Sequence, residues 1–196
     1  MKNALKIAVT GGIGSGKSTV MQILSNFGYN TVSFDAVYAE LLNDENYVLD
    51  LSREFEIQPI FENGKAVLNR KALSEKVFLN AKMLEKLNTY THESIFERAF
   101  EKQSNSITFY EVPLLFEGNY QNRFDAVWVV MRDYEKRIKG ASERDNCEIQ
   151  KIELKAKNQV DYEKIDLSLH TVIVNNGNLI QLEKGVERAL SEIKKV

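Results

Sequence analysis

The sequence contains a single cysteine, Cys147, so no disulfide can form within the chain. Sparse cysteine is typical of a reducing compartment. Proline occurs only at Pro59 and Pro113, and no Pro/Gly-rich or low-complexity segment indicates a linker between domains. The longest uninterrupted apolar run, from Ala126 to Met131, is far too short to cross a bilayer. These absences argue against a disulfide-stabilised secreted domain and a membrane-spanning protein, and we expect a cytoplasmic protein with no membrane partner.

Neither sign of charge dominates, because 26 lysines and arginines accompany 28 aspartates and glutamates, giving a formal net charge of −2. Proteins that bind duplex nucleic acid usually carry a basic surplus. We therefore expect no nucleic-acid partner, and any anion site must be local. With 196 residues, of which 43% are hydrophobic, the chain is long enough for one compact core and an inserted helical subdomain. We expect a monomer, with no targeting peptide before the first strand.

Near its amino end the sequence has the segment G-G-I-G-S-G-K-S, from Gly11 to Ser18. It matches the phosphate-loop pattern G-x-x-x-x-G-K-S, lies after the β-branched run Ile7 to Thr10, and precedes a helical pattern beginning at about Lys17. Glycines let backbone amides surround phosphate oxygens, Lys17 adds a full charge, and Ser18 can hold Mg²⁺. A mere connecting turn is the alternative, but the spacing favours a nucleotide site. The predicted ATP-binding residues of this loop are Gly12, Ile13, Gly14, Ser15, Gly16, Lys17, Ser18 and Thr19.

An aspartate, Asp35, follows the short strand predicted from Thr31 to Phe34. Ligands bind beyond the carboxyl ends of strands in parallel α/β sheets, so this position suits an acid that acts on a substrate. Asp35 could also cap the helix predicted from Val37 to Leu42. The two roles are compatible.

The segment from 36 to 103 is predicted to be mostly helical, with no convincing strand, and to bind the acceptor substrate. Asn69 is the expected N-cap of a helix from Arg70 to Phe78, and a longer helix should run from about Ala81 to Lys102. His92 lies on that longer helix. A lone helical histidine is more often a surface residue than a substrate contact.

The rest of the chain supplies further strands and a charged helical stretch. Glu111, near the end of one strand, could hold a Mg²⁺-bound water or could contact a helix. The stretch from Arg132 to about Lys164 is either a solvated face or a mobile lid whose arginines close over the transferred phosphoryl group. The predicted strands are Ser106 to Val112, Asp125 to Met131 and Thr171 to Val174, with a closing helix from Leu179 to Ile193.

Together these features predict an α/β fold, a P-loop NTPase with three α/β/α layers, a five-stranded parallel sheet, a helical substrate-binding insertion and a helical lid. The expected nucleotide-binding core is 1–35 plus 104–133 plus 168–196, the acceptor subdomain is 36–103, and the lid is 134–167. A nucleoside monophosphate or shikimate-type kinase is the nearest alternative. A nucleotide-dependent switch or nucleic-acid ATPase is opposed by the acidic balance and by the lack of an N-K-x-D motif.

Further motifs occur in order along nearly the whole chain: T-G-G-I-G-S-G-K-S-T-V at 10–20, Asp35, N-R-x-x-L-x-x-x-V-F at 69–78, His92, V-P-L-L-F-E at 112–117, Arg144-Asp145, Gln159 and V-I-V-N-N-G at 172–177. In this combination the sequence closely resembles the dephospho-coenzyme A kinase family. The resemblance implies transfer of the ATP γ-phosphoryl group to the ribose 3′-hydroxyl of dephospho-CoA, with Mg²⁺ as cofactor.

The resemblance also implies roles for individual residues. Asp35 would accept the hydroxyl proton, Lys17 and Arg144 would be catalytic cations near the phosphates, and Ser18 would hold the metal. Asn175 and Gly177, in the turn beside adenine, would bind ATP. The acceptor would contact Asp35, Arg70, His92, Leu115, Phe116 and Glu117.

The sequence departs from the family pattern at several positions. Val37 replaces the second acid of D-A-D, Glu93 replaces the proline of His-Pro, and Leu169-His170 replaces A-D before the last strand. Gly140 stands where a lid arginine is common. That departure leaves Arg144 and Arg137 as the lid arginines that could neutralise charge.

Overall fold

The computed structural model describes residues 4–78 and 80–193. Leu79 of the predicted acceptor subdomain, and residues 1–3 and 194–196 of the predicted core, lie outside the described residues. The strands of the described chain are β1 (Leu5–Thr10), β2 (Asn30–Ser33), β3 (Ile60–Glu62), β4 (Lys65–Val67), β5 (Ile107–Glu111), β6 (Ala126–Met131) and β7 (Thr171–Val174). The α-helices are α1 (Lys17–Asn26), α2 (Phe34–Asn43), α3 (Glu45–Glu54), α4 (Arg70–Phe78), α5 (Ala81–Glu101), α6 (Tyr134–Asp145), α7 (Ile149–Lys157) and α8 (Leu179–Ile193). Among these helices none is both long and apolar enough to span a membrane.

Five strands form one sheet in the order β2-β5-β1-β6-β7, which confirms the predicted α/β fold. β1 pairs in parallel with β5 and β6, and β6 pairs in parallel with β7. The register joins Val9 to Glu111, Thr10 to Val129 and Met131 to Val174. The carboxyl ends of these strands therefore meet at one edge of the sheet, where the loop after β1 begins.

The main core lies between the sheet and the pair of helices α1 and α8. Ile7, Trp128 and Val130 on the central strands are almost fully buried and belong to one cluster with Leu24 of α1 and Val186 of α8. Such continuous apolar strands are typical of parallel sheets that are covered on both faces. This packing fixes the start of α1, and with it the loop that joins β1 to α1.

The described chain divides into two compact units, one holding the chain up to Val32 and from Gln103 onward, the other Ser33–Lys102. In the second unit α5 packs against α2 and α4, and the Phe34 and Phe96 rings meet edge to face at 4.9 Å. Arg98 also forms an ion pair with Asp44 at 2.9 Å. The boundaries predicted for core, acceptor subdomain and lid stay predictions.

Two features of the second unit correct the sequence analysis. The expectation of no strand was wrong, because β3 and β4 form a short antiparallel hairpin around the turn Asn63-Gly64. An Asn-Gly pair is a strong hairpin signal, but three-residue strands are too short to show alternation.

Helix α2 begins at Phe34, and Ser33 caps it by accepting a hydrogen bond from the Ala36 amide at 3.4 Å. The capping role considered for Asp35 therefore belongs to Ser33.

Candidate active site

The loop between β1 and α1 has the backbone of a phosphate-binding nest. Gly11, Gly14 and Gly16 have φ angles of 148°, 73° and 99°. Left-handed glycines of this kind turn successive amides toward a common concave side, which suits an anion. Helix α1 begins directly after the loop, at Lys17, and its unsatisfied amides and dipole add to the positive field. The loop can therefore bind phosphate groups through its main chain.

Two side chains at the start of α1 extend this site. Lys17 Nζ donates hydrogen bonds to the carbonyl oxygens of Gly11, at 2.7 Å, and Gly12, at 3.3 Å. Ser18 Oγ donates to Glu111 Oε1 at 2.9 Å. Glu111 is the last residue of β5 and lies beside Val9 in the sheet. Ser18 belongs to α1, so Glu111 contacts a helix, as one of the two interpretations of the sequence expected, and its place beside a metal stays a prediction.

A hydroxyl and a carboxylate in contact form an oxygen donor pair that suits Mg²⁺. Magnesium in phosphotransferases usually keeps several waters and takes one or two protein ligands together with the substrate phosphates. The described residues contain no cluster of three or more His, Cys, Asp or Glu side chains that could hold a metal by itself. The pair formed by Ser18 and Glu111 therefore fits a metal that is shared with a bound nucleotide.

The turn after β7 is fastened to the loop and to the start of α6. Asn175 Nδ2 donates to the Ser15 carbonyl at 2.8 Å, which brings this predicted ATP-binding residue against the loop. Asn176 Oδ1 accepts the Asp133 amide at 2.8 Å, and Asn176 Nδ2 donates back to the Asp133 carboxylate. Lys136 Nζ adds a bond of 3.0 Å to the Asn176 carbonyl. The Asn176–Asp133 bonds were not predicted, because they join residues more than forty positions apart.

The segment after α7 also contacts the loop. Gln159 Oε1 accepts a hydrogen bond from the Ile13 amide at 2.7 Å, and the Tyr162 hydroxyl lies 3.2 Å from Thr10 Oγ1. Burial raises the pKa of Tyr162 to about 12, although the hydrogen bond with Thr10 acts in the opposite direction. The family motif alone pointed to Gln159. Tyr162 was missed, since nothing in its local sequence marks it.

The arginines of the predicted lid occupy different environments. Arg132 Nη1 donates to the Gly14 carbonyl at 3.4 Å, and a Cβ placed on Gly12 would lie only 1.7 Å from Arg137 Nη1. Arg144, the predicted catalytic arginine, is exposed and pairs with Asp145 through contacts of 2.7 and 3.2 Å. That pair lowers the pKa of Asp145, chiefly through the hydrogen bond from Arg144. Arg132 and Arg137 thus lie against the loop, whereas Arg144 forms hydrogen bonds with Asp145.

A cavity of about 410 Å³ lies between the loop, the end of β6 and the helices of the predicted lid. A small apolar cluster of Ile138, Ala141 and Ile152 joins α6 to α7, and Ile13 of the loop packs against it. This cluster holds the lid helices over the loop. Besides Tyr134 and Tyr162, the charged and polar residues that line the cavity are Arg132, Arg137, Lys157, Gln159, Asp161 and Glu163.

The segment predicted to contact the acceptor is mostly buried. Leu115 has no exposed surface, so a direct contact with the acceptor would require this segment to move. The Phe116 ring meets Tyr162 edge to face at 5.8 Å. Glu117 Oε1 accepts the Val160 amide at 3.0 Å, while its Oε2 is buried without a hydrogen-bond partner. Phe116 and Glu117 thus connect β5 to the segment that follows α7.

The other predicted acceptor residues lie in the second unit. Asp35 is exposed in the first turn of α2, and Arg70 is exposed at the start of α4. Asn69 caps α4 as predicted, since its Oδ1 accepts the Ala72 amide at 3.0 Å. His92 is half-buried on α5, and burial lowers its pKa below the ordinary value.

The geometry agrees with what comparison with known proteins shows. The family model described as dephospho-CoA kinase matches residues 5–181, which is most of the chain. The chain belongs to the dephospho-CoA kinase family. A dephospho-CoA kinase of Fusobacterium nucleatum is 34% identical over 185 residues, which cover 93% of this chain and 95% of that protein.

Two solved structures have a fold similar to that of this chain. The crystal structure of TT1252 from Thermus thermophilus has a TM-score of 0.79 at 29% identity and covers 97% of this chain and 98% of that one. The dephospho-CoA kinase from Campylobacter jejuni has a TM-score of 0.67 at 25% identity, covering 97% of each chain.

Membership of the dephospho-CoA kinase family decides between the kinases that the sequence left open. The chain is an ATP-dependent phosphotransferase that phosphorylates the ribose 3′-hydroxyl of dephospho-CoA, the final step of coenzyme A synthesis. Its substrates are therefore ATP and dephospho-CoA.

Proposed function

We propose that the loop from Gly11 to Ser18 binds the ATP triphosphate and that Ser18 and Glu111 hold Mg²⁺ beside it. The observation that carries this proposal is the convergence of the nest, Lys17 and the Ser18–Glu111 pair at one edge of the sheet. A bound Mg²⁺ would neutralise charge on the β- and γ-phosphates. Thr19, Asn175 and the turn that ends at Gly177 complete the proposed nucleotide site.

In this proposal two cations stabilise the phosphoryl group as it moves. Lys17 is attached to the first turn of α1, and its ammonium already reaches the main chain of the loop. Arg144 has a raised pKa, chiefly from its hydrogen bond with Asp145, and the Glu111 carboxylate also contributes. The charge of Arg144 therefore interacts with the Glu111 carboxylate of the proposed metal site. Phosphoryl transfer has a loose, in-line transition state, so positioning and charge neutralisation supply most of the catalysis.

Asp35 is the proposed acceptor of the ribose hydroxyl proton. Ser33 caps α2, so the Asp35 carboxylate is not engaged by the helix. Within the described chain no hydrogen bond or ion pair engages that carboxylate. A general base needs such an available carboxylate, and proton transfer of this kind contributes about 10²- to 10⁴-fold to rate.

The remaining proposals concern the acceptor and the setting of the enzyme. Arg70 and His92, with the segment from Leu115 to Glu117, are proposed to bind dephospho-CoA, with the cation of Arg70 suited to its phosphates. We further propose a monomeric cytoplasmic enzyme without nucleic-acid or membrane partners. The balanced charge and the single Cys147 support that setting.

The test incubates the purified protein with Mg-ATP and dephospho-CoA and detects coenzyme A by mass. Lys17→Ala should lower kcat by about three decades or more, with the unfolding midpoint unchanged, because one such cation carries that much of the rate. Exposed Lys184 on α8 offers a matched control, and Lys184→Ala should behave like wild type. Turnover by Lys17→Ala within tenfold of wild type would refute the proposed phosphate site.

Asp35→Asn should lower kcat by about 10²- to 10⁴-fold while ATP affinity changes little. Asp50→Asn is the matched control, since Asp50 is exposed in the same unit and pairs only with Arg53 among the described residues. Near-normal turnover by Asp35→Asn would remove Asp35 as the base and leave the phosphate site unaffected.

A further inference from the structure

Arg137 touches the phosphate loop through both its side chain and its main chain. A Cβ placed on Gly12 would lie 1.7 Å from Arg137 Nη1, and one placed on Gly14 would lie 2.1 Å from the Arg137 carbonyl oxygen. The guanidinium group also stacks over the Tyr134 ring, with Cζ 5.6 Å from its centre. Arg137 is therefore held at the loop by contacts on several sides.

Arg132 approaches the same loop from the end of β6. Its Nη1 donates to the Gly14 carbonyl, while its Nε is buried without a hydrogen-bond partner. A Cβ placed on Gly140 would lie 3.3 Å from Arg132 Nη1, so the glycine leaves room for this guanidinium group. Arg132 and Arg137 both line the cavity beside Gly12.

These positions concentrate positive charge at one end of the loop. Lys17 bonds to the carbonyl of Gly12, the residue that Arg137 also touches. Within the described chain no carboxylate forms an ion pair with Arg132 or Arg137. Arg144, by contrast, is already paired with Asp145. Asp161 lines the same cavity, and the charge of Arg137 helps to lower the pKa of its carboxyl, although the two side chains form no ion pair. A group of cations at one loop suits a polyanionic ligand.

We propose that Arg137 is the lid arginine that contacts the phosphoryl group during transfer, which rests on the phosphate site proposed above. The bond between the γ-phosphorus and the β,γ-bridging oxygen breaks as the bond from the ribose 3′-oxygen forms. The hydroxyl proton passes to Asp35, and ADP leaves with the bridging oxygen. Arg137 donates hydrogen bonds to the equatorial oxygens, while Arg144 contributes through its charge.

The test compares Arg137→Gln, Arg137→Lys and Arg144→Gln, with Lys139→Gln as a control that removes one exposed charge from the same helix. Arg137→Gln should lower kcat about 10²- to 10³-fold, as the loss of one transition-state donor does. Its affinity for ATP should stay within about threefold of wild type. Its affinity for the transition-state mimic ADP–aluminium fluoride should fall in proportion to kcat. Lys139→Gln should match wild type, and Arg144→Gln should lose less than Arg137→Gln.

Several outcomes would overturn the proposal. One is a kcat of Arg137→Gln within threefold of wild type, and another is an equal loss of affinity for ATP and for ADP–aluminium fluoride in that variant. A third is a larger loss of kcat and of ADP–aluminium fluoride affinity in Arg144→Gln than in Arg137→Gln. If circular dichroism shows that Arg137→Gln is unfolded, Arg137→Lys decides, because it keeps the charge and loses the planar fork. That variant should lose about tenfold in kcat, and full activity would refute the role. Failure of the phosphate site itself would appear separately, as undiminished turnover by Lys17→Ala.

Discussion

The contact between Gly14 and α6 predicts that Gly14→Ala destabilises the enzyme more than its backbone angle alone explains. Gly14 has a φ of 73°, and a Cβ there would lie 2.1 Å from the Arg137 carbonyl oxygen. Ordinary van der Waals contact begins at about 3.4 Å. The Arg137 carbonyl is main chain of a helix, so it cannot swing aside as a side-chain tip would. Either the loop or α6 must move by more than an ångström.

Gly28, after α1, supplies the matched control. Its φ of 84° is similar, but nothing lies within 4 Å of its Cβ position. An L-residue in this left-handed region costs about 1–2 kcal/mol. Reduced entropy of the unfolded chain returns about 0.4–1 kcal/mol. Gly28→Ala should therefore cost about 1 kcal/mol. Gly14→Ala adds an overpacking term of about 1–3 kcal/mol, for a total of about 2–4 kcal/mol.

Urea unfolding followed by the fluorescence of Trp128 measures this difference. Trp128 is the only tryptophan, is fully buried, and lies in the same unit as both glycines. Gly14→Ala should also lose turnover, because α6 carries Arg137, whereas Gly28→Ala should keep it. Equal free energies of unfolding for the two variants, within about 0.5 kcal/mol, would show that the contact with Arg137 adds nothing and would refute the reasoning.

Two further predictions concern buried polar groups. Tyr162→Phe should cost about 1–2 kcal/mol, because it leaves the fully buried Thr10 hydroxyl without this partner, and Thr10→Val in that background should recover part of the loss. Unchanged urea unfolding of Tyr162→Phe would contradict this. Burial lowers the pKa of His92 in the folded state. The contribution of His92 to the free energy of unfolding should therefore be fully present above pH 6.5, its ordinary pKa, and should fall as the pH drops through 6.5 toward the folded pKa. An NMR titration midpoint for His92 at or above 6.5 would contradict it, and His92→Gln should flatten the acid-side slope.

The parts of the fold and site that the sequence predicted are those with a local chemical signature. The phosphate loop is one continuous segment, so Lys17 and Ser18 could be placed at the start of α1 before any tertiary contact was known. β7 and α8 have the predicted bounds, because an apolar run and a helical period with an Asn-Gly turn between them are local signals. The cap of α4 by Asn69 was predictable for the same reason.

The parts that the sequence did not predict depend on which face of an element is buried. The lid stretch contains many cations, and nothing in their order tells which ones point at the loop. The apolar contacts of Ile138 and Ala141 with α7 decide this, since they fix the rotation of α6 that brings Arg137 to Gly12. Tyr162 was missed because its partner, Thr10, lies 152 positions earlier in the chain.

The two ends of the predicted lid are fastened to the core by different bonds, and this bears on which arginine can act. At the first end, Asp133 is joined to Asn176. At the second end, Val160 is bonded to Glu117 and Tyr162 to Thr10. Helices α6 and α7 therefore lie between two sets of bonds to the rest of the chain.

Arg137 lies about one helical turn beyond the Asp133 attachment and already touches the loop. Arg144, at the other end of α6, is exposed and paired with Asp145, although its charge also interacts with Glu111. Preorganised charge stabilises a transition state without reorganisation at the moment of reaction. Arg137, which already touches the loop, is therefore better suited than Arg144 to meet the phosphoryl group.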